Sequence, residues 1–210
     1  MKSDTAFWNA IAEKYSRHPL GNPAAFDRKI AVTKSRMQPR DIVLDIGCGT
    51  GSLALRLAAD AHEVHGLDLS SEMIRIARGK AEAAGVANVS FHVGAFDEDF
   101  DAFAPGSLDG ICAYSVLHLL QDRPAALALI HRLLKPGGFF VSSTVCLGET
   151  WIPYAPLLRV MRWLGKAPTV KVIDKRTLKE EVRAAGFSDV AEPDVGAEPT
   201  VAFLVATRPG

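Results

Sequence analysis

Residues 43–51, with the sequence VLDIGCGTG, constrain the fold of this chain more than any other segment. An apolar strand pattern runs directly into glycines at alternate positions, Gly47, Gly49 and Gly51, and then into the helical pattern SLALRLAA. Glycines permit a tight turn with positive φ and let backbone N–H groups approach a ligand closely. The start of the helix adds a partial positive charge, which favours a carboxylate or a phosphate. The segment therefore predicts a strand–loop–helix unit that binds a small molecule.

A carboxylate follows at the end of the next predicted strand. Asp68, in the sequence GLDLS, lies about 20 residues after the first glycine of the loop, where a carboxylate can accept hydrogen bonds from both hydroxyls of a ribose. A glycine-rich turn followed by a helix-capping aspartate is the structural alternative. The order of strand, loop, helix, strand and acid favours a nucleoside-binding site.

Short apolar runs alternate with helical patterns through the middle of the chain. Strands are predicted at 42–46, 63–67, 89–93, 108–113 and 139–145, and helices near 52–59, 71–84 and 124–134. Because the runs are apolar on both faces, this alternation indicates a parallel sheet covered by helices. Further helices are predicted within 4–37, within 149–174 and near 176–185, and an antiparallel hairpin is predicted from strands near 187–195 and 200–207.

Charge and composition exclude several classes of protein. Lys and Arg number 24 and Asp and Glu also number 24, so the chain lacks the basic surplus with which nucleic-acid-binding proteins neutralise phosphates. The apolar fraction of 48% excludes disorder. Neither a metal site nor a disulfide framework is indicated, because the three cysteines are widely spaced and form no CxxC pair: Cys48, Cys112 and Cys146.

Two sequence features indicate where in the cell the protein is located: its first residues and the length of its apolar runs. The first turn of sequence, MKSDTAFWNAIAEKYSR, is rich in charges and lacks the apolar core of a signal peptide. No run approaches the ~20 apolar residues that span a bilayer. We therefore expect a cytoplasmic protein, either a monomer or a homodimer, whose contact with a membrane is at most peripheral.

The spacing DxGxGxG, which begins at Asp45, resembles the first motif of the class I S-adenosylmethionine (SAM) methyltransferases. Further segments are similar to that family: SEMIRIAR after Asp68, LDGICAYSVLHLL, LLKPGGFFV, and RAAGFSDV followed by FLVATRP. The resemblance is strong over residues 40–145 and looser over 176–208. It is closest to the small-molecule group that includes ubiquinone- and menaquinone-biosynthesis methyltransferases.

Taken with the alternation and the terminal hairpin, this resemblance implies an α/β fold: a doubly wound, Rossmann-like sheet of seven strands in the order 3-2-1-4-5-7-6, with strand 7 antiparallel. A single domain would comprise an N-terminal helical cap (1–40), a SAM-binding core (41–148), a substrate cap (149–174) and a terminal helix with the strand pair (175–210). The cofactor would be SAM, released as S-adenosylhomocysteine (SAH), and the acceptor a small hydrophobic or anionic molecule. The residues implied to bind the cofactor are Asp45, Gly47, Cys48, Gly49, Gly51, Asp68, Leu69, Met73, Ala95, Phe96, Tyr114 and Ser115.

The chain departs from the family after the third strand, where many members have an acid that binds the adenine amino group. Here the run is VGAFDE, so Ala95 occupies the position of that acid. The backbone of Phe96 can still reach the adenine. Asp97 either substitutes for the acid or belongs to a solvated loop.

Methyl transfer needs alignment of donor and acceptor, and it needs a base only when the acceptor arrives protonated. His118, in the loop after the fourth strand, is the candidate base and a candidate acceptor contact, because ligands of open α/β sheets bind at that edge. A histidine that only packs in a helical turn is the alternative. Tyr15, Trp151 and Tyr154 are further candidate acceptor contacts in the two caps, with plain helix packing as their alternative.

The residues alone leave other functions open. An NAD(P)-dependent oxidoreductase uses a similar sheet, although the glycine spacing differs here and no Tyr-x-x-x-Lys pair is present. A non-catalytic SAM-binding module would have the same loop. The basic residues over 159–183 fit an anionic or apolar substrate, a membrane surface that holds one, or a solvated face.

Overall fold

Seven strands form one sheet in the part of the chain that this computed structural model describes, residues 4–18, 21–150 and 154–210. The strands are β1 (Ile42–Ile46), β2 (Glu63–Asp68), β3 (Val89–Val93), β4 (Leu108–Tyr114), β5 (Leu134–Val145), β6 (Ser188–Ala191) and β7 (Val201–Thr207). Their order across the sheet is β3-β2-β1-β4-β5-β7-β6. Strands β1 to β5 run parallel, whereas β7 pairs antiparallel with both β5 and β6. The predicted α/β fold, strand order and reversed last strand are confirmed.

Seven α-helices flank the sheet in the described part of the chain, and four of them begin after a capping side chain. They are α1 (Asp4–Arg17), α2 (Pro23–Lys34), α3 (Ser52–Leu57), α4 (Ser71–Ala83), α5 (Arg123–Leu133), α6 (Tyr154–Trp163) and α7 (Lys175–Ala184). Four of them start after a residue whose side chain accepts a hydrogen bond from a backbone N–H of the first turn: Asn22, Ser70, Asp122 and Asp174. Such caps satisfy N–H groups that have no partner within the helix.

Two strands differ in length from the sequence prediction. β5 begins at Leu134 rather than near 139, because Leu134 pairs with β4 before the chain bulges and Phe139 resumes the pairing. The bulge contains Gly137, whose φ is +80°. β6 ends at Ala191 rather than near 195, and Pro193, two residues on, has no N–H to donate to β7.

The sheet is buried on both faces, as its continuous apolar runs predict. One cluster of buried side chains includes Leu44 and Ile111, and the other includes Val43 and Cys112, because successive residues of a strand point to opposite faces. The chain order reverses between β1 and β4, so a crevice opens beyond the carboxyl ends of these two strands. Open α/β sheets bind ligands in this crevice.

Within the two predicted caps, helices α1 and α6 pack less tightly than the sheet. Ala12 is the buried residue of α1, and the described residues of α6 include none. A polar contact holds α1 on the start of α4, where the side-chain oxygen of Asn9 accepts a hydrogen bond from Ser70 Oγ at 2.6 Å. The roles predicted for 1–40 and 149–174 stay predictions.

Within the described residues, no helix has the length and apolar character needed to cross a membrane. Part of the basic run over 159–183 is neutralised by neighbouring acids, since Lys175 and Lys179 contact Glu192 at 3.4 and 2.6 Å. The basic fringe is therefore smaller than the sequence indicates. The peripheral membrane contact, the cytoplasmic location and the choice between monomer and homodimer stay predictions.

We expect Gly110 in β4 to tolerate no side chain, because a Cβ there would collide with the ring of Phe139. Gly110→Ala should lower the free energy of unfolding by about 1–3 kcal/mol through overpacking. Gly79 of α4 has open space beside its Cα, and Gly79→Ala should raise that free energy by up to about 1 kcal/mol, since alanine is the better helix former. Urea unfolding measures both variants. A Gly110→Ala variant as stable as the parent protein would contradict the close packing of Phe139 on Gly110 in β4.

Candidate functional site

The loop between β1 and α3 has the shape that its glycines permit. Gly47, Gly49 and Gly51 have φ values of +67°, +54° and +78°. The carbonyl of Leu67 accepts hydrogen bonds from the N–H of Gly47 at 2.8 Å and from the N–H of the next residue at 3.0 Å. A Cβ at Gly47 would lie 2.6 Å from the side chain of Val116. Backbone conformation and close packing both require glycine here.

Asp68 closes the loop from the end of β2. One of its carboxylate oxygens accepts a hydrogen bond from the N–H of Gly49 and the other from the N–H of Ser70, each at 2.9 Å. Burial raises the pKa of Asp68, and the two N–H groups act in the opposite direction. Each oxygen has a further lone pair, so the carboxylate can still accept hydrogen bonds from a ligand.

A cavity of about 750 Å³ opens beside Asp68, beyond the carboxyl ends of the parallel strands. Much of its wall is apolar and comes from the loop after β4 and from α5, including Val116 and Leu129. Such a mixture of an apolar wall with a few polar groups is typical of ligand sites. Nine of the residues predicted to bind the cofactor line this cavity: Gly47, Gly49, Asp68, Leu69, Met73, Ala95, Phe96, Tyr114 and Ser115.

A second cavity, of about 620 Å³, lies on the other side of the glycine loop, against α2. Two more predicted residues, Asp45 and Cys48, line it, whereas Gly51 lines neither cavity. The glycine loop therefore separates two adjoining cavities. The residues that line both are Tyr15, Gly47, Gly49, Tyr114 and Ser115.

Asp45 lies in β1 beneath the loop and is almost completely buried. Its Oδ2 has no hydrogen-bond partner among the described residues. Burial, followed by the charge of Asp68, raises the pKa of Asp45 to about 8. A cationic or hydrogen-bond-donating ligand would offset the cost of the buried carboxylate charge.

Helix α1 brings aromatic side chains to the two cavities. Tyr15 lines both cavities and Trp8 lines the first. Their rings meet edge to face, with centroids 6.4 Å apart. Tyr15 is half exposed, and its partial desolvation, followed by the charge of Asp68, raises the pKa of Tyr15. The ligand contact predicted for Tyr15 stays a prediction. The position of Tyr15 in the wall of both cavities favours such a contact.

The loop after β3 places Ala95 in the wall of the first cavity. Phe96 beside it is buried and packs on the ring of Phe100, with centroids 5.1 Å apart. Asp97 lines the same cavity, and its Oδ1 accepts a hydrogen bond from the N–H of Asp99 at 3.3 Å. Both candidates for the adenine contact, the backbone of Phe96 and the carboxylate of Asp97, therefore lie at the cavity.

His118 lies in the 3₁₀ turn Leu117–Leu119, at the predicted edge of the sheet, but it lines neither of these two cavities. Its Nδ1 is buried and has no hydrogen-bond partner among the described residues. Burial, followed by the charge of Arg123, lowers the pKa of His118 to about 4, so the imidazole is neutral at pH 7. These surroundings are those of a packed histidine. The catalytic role stays a prediction that the structure does not favour.

The substrate cap contributes less to the site than the sequence indicates. Tyr154, the first residue of α6, lines neither cavity, and Trp151 lies outside the described residues. The segment after α6 does reach the site, because the N–H of Thr169 donates a hydrogen bond to the carboxylate of Asp4 at 3.0 Å. Asp4 lines the first cavity.

Sequence reasoning misses Lys29 and Ser143, which both line the second cavity. Nζ of Lys29 donates a hydrogen bond to Oγ of Ser143 at 2.9 Å. The available signal is the spacing of Phe26, Lys29 and Thr33, which places all three on one face of a helix. Ser143 offers no signal, since it is one polar residue within a strand pattern.

Comparisons with known proteins identify the family. Residues 38–185 match the family described as a methyltransferase domain. The chain is 31% identical to a demethylmenaquinone methyltransferase of Staphylococcus epidermidis, in a match that covers 89% of this chain and 85% of that protein. It is also 31% identical to a ubiquinone biosynthesis O-methyltransferase of Xanthomonas axonopodis pv. citri, over 66% of this chain and 56% of that protein. The chain thus spans little more than half the length of this second relative.

Solved structures share the fold at lower identity. Phosphoethanolamine N-methyltransferase 2 of Haemonchus contortus, in complex with phosphomonomethylethanolamine and SAH, has a TM-score of 0.78 at 17% identity, over 100% of this chain and 61% of that chain. A SAM-dependent methyltransferase of Aquifex aeolicus has a TM-score of 0.70 at 18% identity, over 95% of this chain and 97% of that chain. With a family match over residues 38–185 and a relative that is 31% identical over most of its length, the chain belongs to the methyltransferase-domain family and is a class I SAM-dependent methyltransferase.

Proposed function

We propose that this enzyme transfers a methyl group from SAM to a small organic acceptor, with the adenosine part of the cofactor in the first cavity and its charged end, together with the acceptor, in the second. The observation that carries this proposal is the shared wall formed by Tyr15, Gly49, Tyr114 and their neighbours, which lines both cavities. Ligands in the two cavities would meet at this wall, so no other layer of protein separates them.

The residues of the first cavity fit the adenosine part of the cofactor. Asp68 offers its carboxylate to the ribose hydroxyls, which is the role that its place at the end of β2 predicts. The backbone of Phe96 and the carboxylate of Asp97 offer acceptors to the adenine amino group. Leu69 and Met73 add apolar surface against the ring.

Asp45 fits the charged end of the cofactor. Its unpaired, buried Oδ2 can accept a hydrogen bond from an ammonium group. The raised pKa of Asp45 shows that a carboxylate is costly there in the ligand-free protein. A positive ligand group would remove much of that cost.

Bound SAM supplies an electrophilic methyl group on a positively charged sulfur, and the chain's own part is to hold the acceptor in line with it. Tyr114 is a fixed part of the shared wall, because its hydroxyl hydrogen-bonds Thr33 Oγ1 at 2.8 Å and its ring packs edge-on against Phe26 and Phe203. Burial raises the pKa of Tyr114 well above its usual value. Its hydroxyl therefore stays protonated at neutral pH and does not act as a base. Alignment at close range can supply much of the rate.

The proposed acceptor class rests on the second cavity and on the relatives. Ile11, Phe26 and Leu53 give that cavity an apolar surface, which fits an aromatic or aliphatic body. The curated relatives described above are named for demethylmenaquinone and for ubiquinone biosynthesis. We therefore propose a small organic molecule as the acceptor. Because the chain belongs to a methyltransferase family, the alternative function of an NAD(P)-dependent oxidoreductase is no longer a candidate.

Incubation with methyl-labelled SAM tests the proposed function. We expect one class among a panel of phenols, organic acids and amines to acquire the label while SAH forms in equal amount, as measured by mass spectrometry. A protein that binds SAM but forms SAH neither with this panel nor with a metabolite extract would instead be a non-catalytic SAM-binding module.

Asp68→Ala should weaken SAH binding by roughly 10- to 150-fold, because the loss of a charged hydrogen bond costs about 1.5–3 kcal/mol. Calorimetry measures the affinity. Asp101→Ala is the matched control, since Asp101 is exposed and lines neither cavity. Unchanged SAH affinity of a folded Asp68→Ala variant would refute the ribose assignment.

Asp45→Asn should stabilise the ligand-free protein, and more so as the pH rises. The pKa of Asp45 is raised from its ordinary value near 3.8 to about 8, so ionisation costs folding free energy between about pH 4 and pH 8. The amide removes that cost. The Tm difference between the variant and the parent should be small at pH 4 and reach several degrees at pH 8.

Thermal unfolding across pH 4–8 measures this difference, with Asp101→Asn as the exposed control. The control should follow the parent at every pH. A Tm difference for Asp45→Asn that stays flat or falls as the pH rises would contradict the buried, unpaired state assigned to Asp45.

A further inference from the structure

Helix α6 and the residue after it expose an apolar face. Leu157, Val160 and Leu164 follow one another at spacings of three and four residues, which places them on one side of the helix, and Trp163 lies three residues after Val160. The N–H of Leu164 donates a hydrogen bond to the carbonyl of Val160 at 3.0 Å, so Leu164 continues the helical turn. The exposed fractions range from 47% for Leu157 to 77% for Trp163. Adjoining apolar side chains that are exposed together mark an interaction site.

The same segment carries positive charge and no negative charge. Its basic residues are Arg159, Arg162, Lys166 and Lys171. No Asp or Glu lies between Glu149 and Asp174. The four basic side chains form neither an ion pair nor a hydrogen bond with the residues that the structure describes. The segment therefore combines apolar surface with positive charge, and the described part of the chain neutralises neither.

The chain after α6 attaches this surface to the edge of the sheet at which the cavities open. The N–H of Lys171 donates a hydrogen bond to the carbonyl of His118, in the turn after β4, at 2.7 Å. Thr169 and Ile173 of the same stretch are buried. The described residues of α6 line neither cavity. A small ligand in the cavities would therefore leave the apolar face uncovered, and this face needs a different partner.

The surface of an anionic membrane fits the apolar face and the charge together. Helices that lie on membranes insert Trp and Leu at the boundary between headgroups and acyl chains, and they hold Lys and Arg among the lipid phosphates. A nucleic acid would bind the charges but would leave the apolar side chains in water. In a two-fold dimer the segment would face its own copy, and like charges would then meet.

We propose that α6 and the residues through Lys171 bind the surface of an anionic lipid membrane. Leu157, Val160, Trp163 and Leu164 would enter the apolar boundary, and the basic side chains would contact lipid phosphates. Long basic side chains can lie along apolar surface while their charged ends stay in water. The bond between Lys171 and His118 would then hold the carboxyl edge of the sheet near the membrane. This inference does not depend on the identity of the methyl acceptor.

Co-sedimentation of the full chain with lipid vesicles tests the proposal. One set of vesicles contains phosphatidylcholine and phosphatidylglycerol in a ratio of about two to one, and the other contains phosphatidylcholine alone. We expect binding to the anionic vesicles to be at least about tenfold tighter than to the neutral ones, since each basic residue near the surface contributes about fivefold. High salt should weaken the binding to the anionic vesicles.

Variants of the apolar face test its part in the binding. Val160→Ser combined with Trp163→Ser should weaken binding to the anionic vesicles by at least about tenfold, because the inserted apolar surface is lost. Trp163→Phe keeps an apolar ring and should stay within about threefold of the parent. Val93→Ser is the control for Val160→Ser, since Val93 in β3 is 52% exposed and Val160 is 54% exposed. The control should bind like the parent.

Variants of the charge test the second part. Arg159→Gln combined with Lys166→Gln should weaken binding to the anionic vesicles by about 25-fold, which is about fivefold for each lost charge. Arg36→Gln combined with Arg40→Gln is the matched control. These two arginines are exposed and precede β1, at the opposite edge of the sheet. The control pair changes the net charge equally and should stay within about twofold of the parent.

Several results would overturn the proposal. The parent protein would do so by binding neither kind of vesicle, or by binding both equally. So would parental binding by either α6 variant, or an equal loss of binding in the control pair. Thermal unfolding checks that all variants fold, as their exposed positions lead us to expect. Sedimentation velocity without lipid tests the remaining alternative: a dimer of the parent that becomes a monomer in the variant of Val160 and Trp163 would assign the apolar face to a second copy of the chain.

Discussion

The carbonyl of Leu67 accepts the N–H groups of Gly47 and Cys48, and the next residue, Asp68, accepts the N–H of Gly49. These three hydrogen bonds tie the glycine loop to the end of β2, and the site depends on them. These hydrogen bonds hold the glycines of the loop in the left-handed conformation, so that the loop lies between the two cavities. They also hold Asp68 in the wall of the first cavity. The close packing of Val116 on Gly47 then locks the arrangement, because any side chain at Gly47 would collide with it.

The two N-terminal helices serve the site in different ways. Helix α2 is held rigidly, through buried Ile30, the hydrogen bond of Thr33 to Tyr114, and contacts of its first half with the loop before β7. It can therefore present Lys29 at a defined place. Helix α1 has little buried surface and is held by polar contacts to α4. Elements with few buried contacts open at low free energy, which suits a helix that covers a cavity from which a product must leave.

The sequence and the structure agree most closely where function depends on local backbone. Gly47, Gly49 and Asp68 belong to one strand–loop–helix–strand unit, so their spacing along the chain already determines their spacing in space. His118 shows the opposite case. Its place after β4 was predictable, but the direction of its side chain depends on what packs around the turn. In the structure His118 is close to the charge of Arg123 and lines neither cavity, although the next residue, Leu119, lines the first.

The sequence by itself determined the sheet, its strand order, the glycine loop and the family, because hydrophobic periodicity, glycine spacing and the motif residues are local properties of the chain. Only the tertiary structure decided that two cavities share the loop, that Asp45 is left without a partner for one oxygen, and that Lys29 meets Ser143 across 114 residues of sequence. The physical reason is that burial and pairing are set by packing between distant segments. A lysine in a helix pattern looks the same in the sequence whether it faces solvent or a cavity.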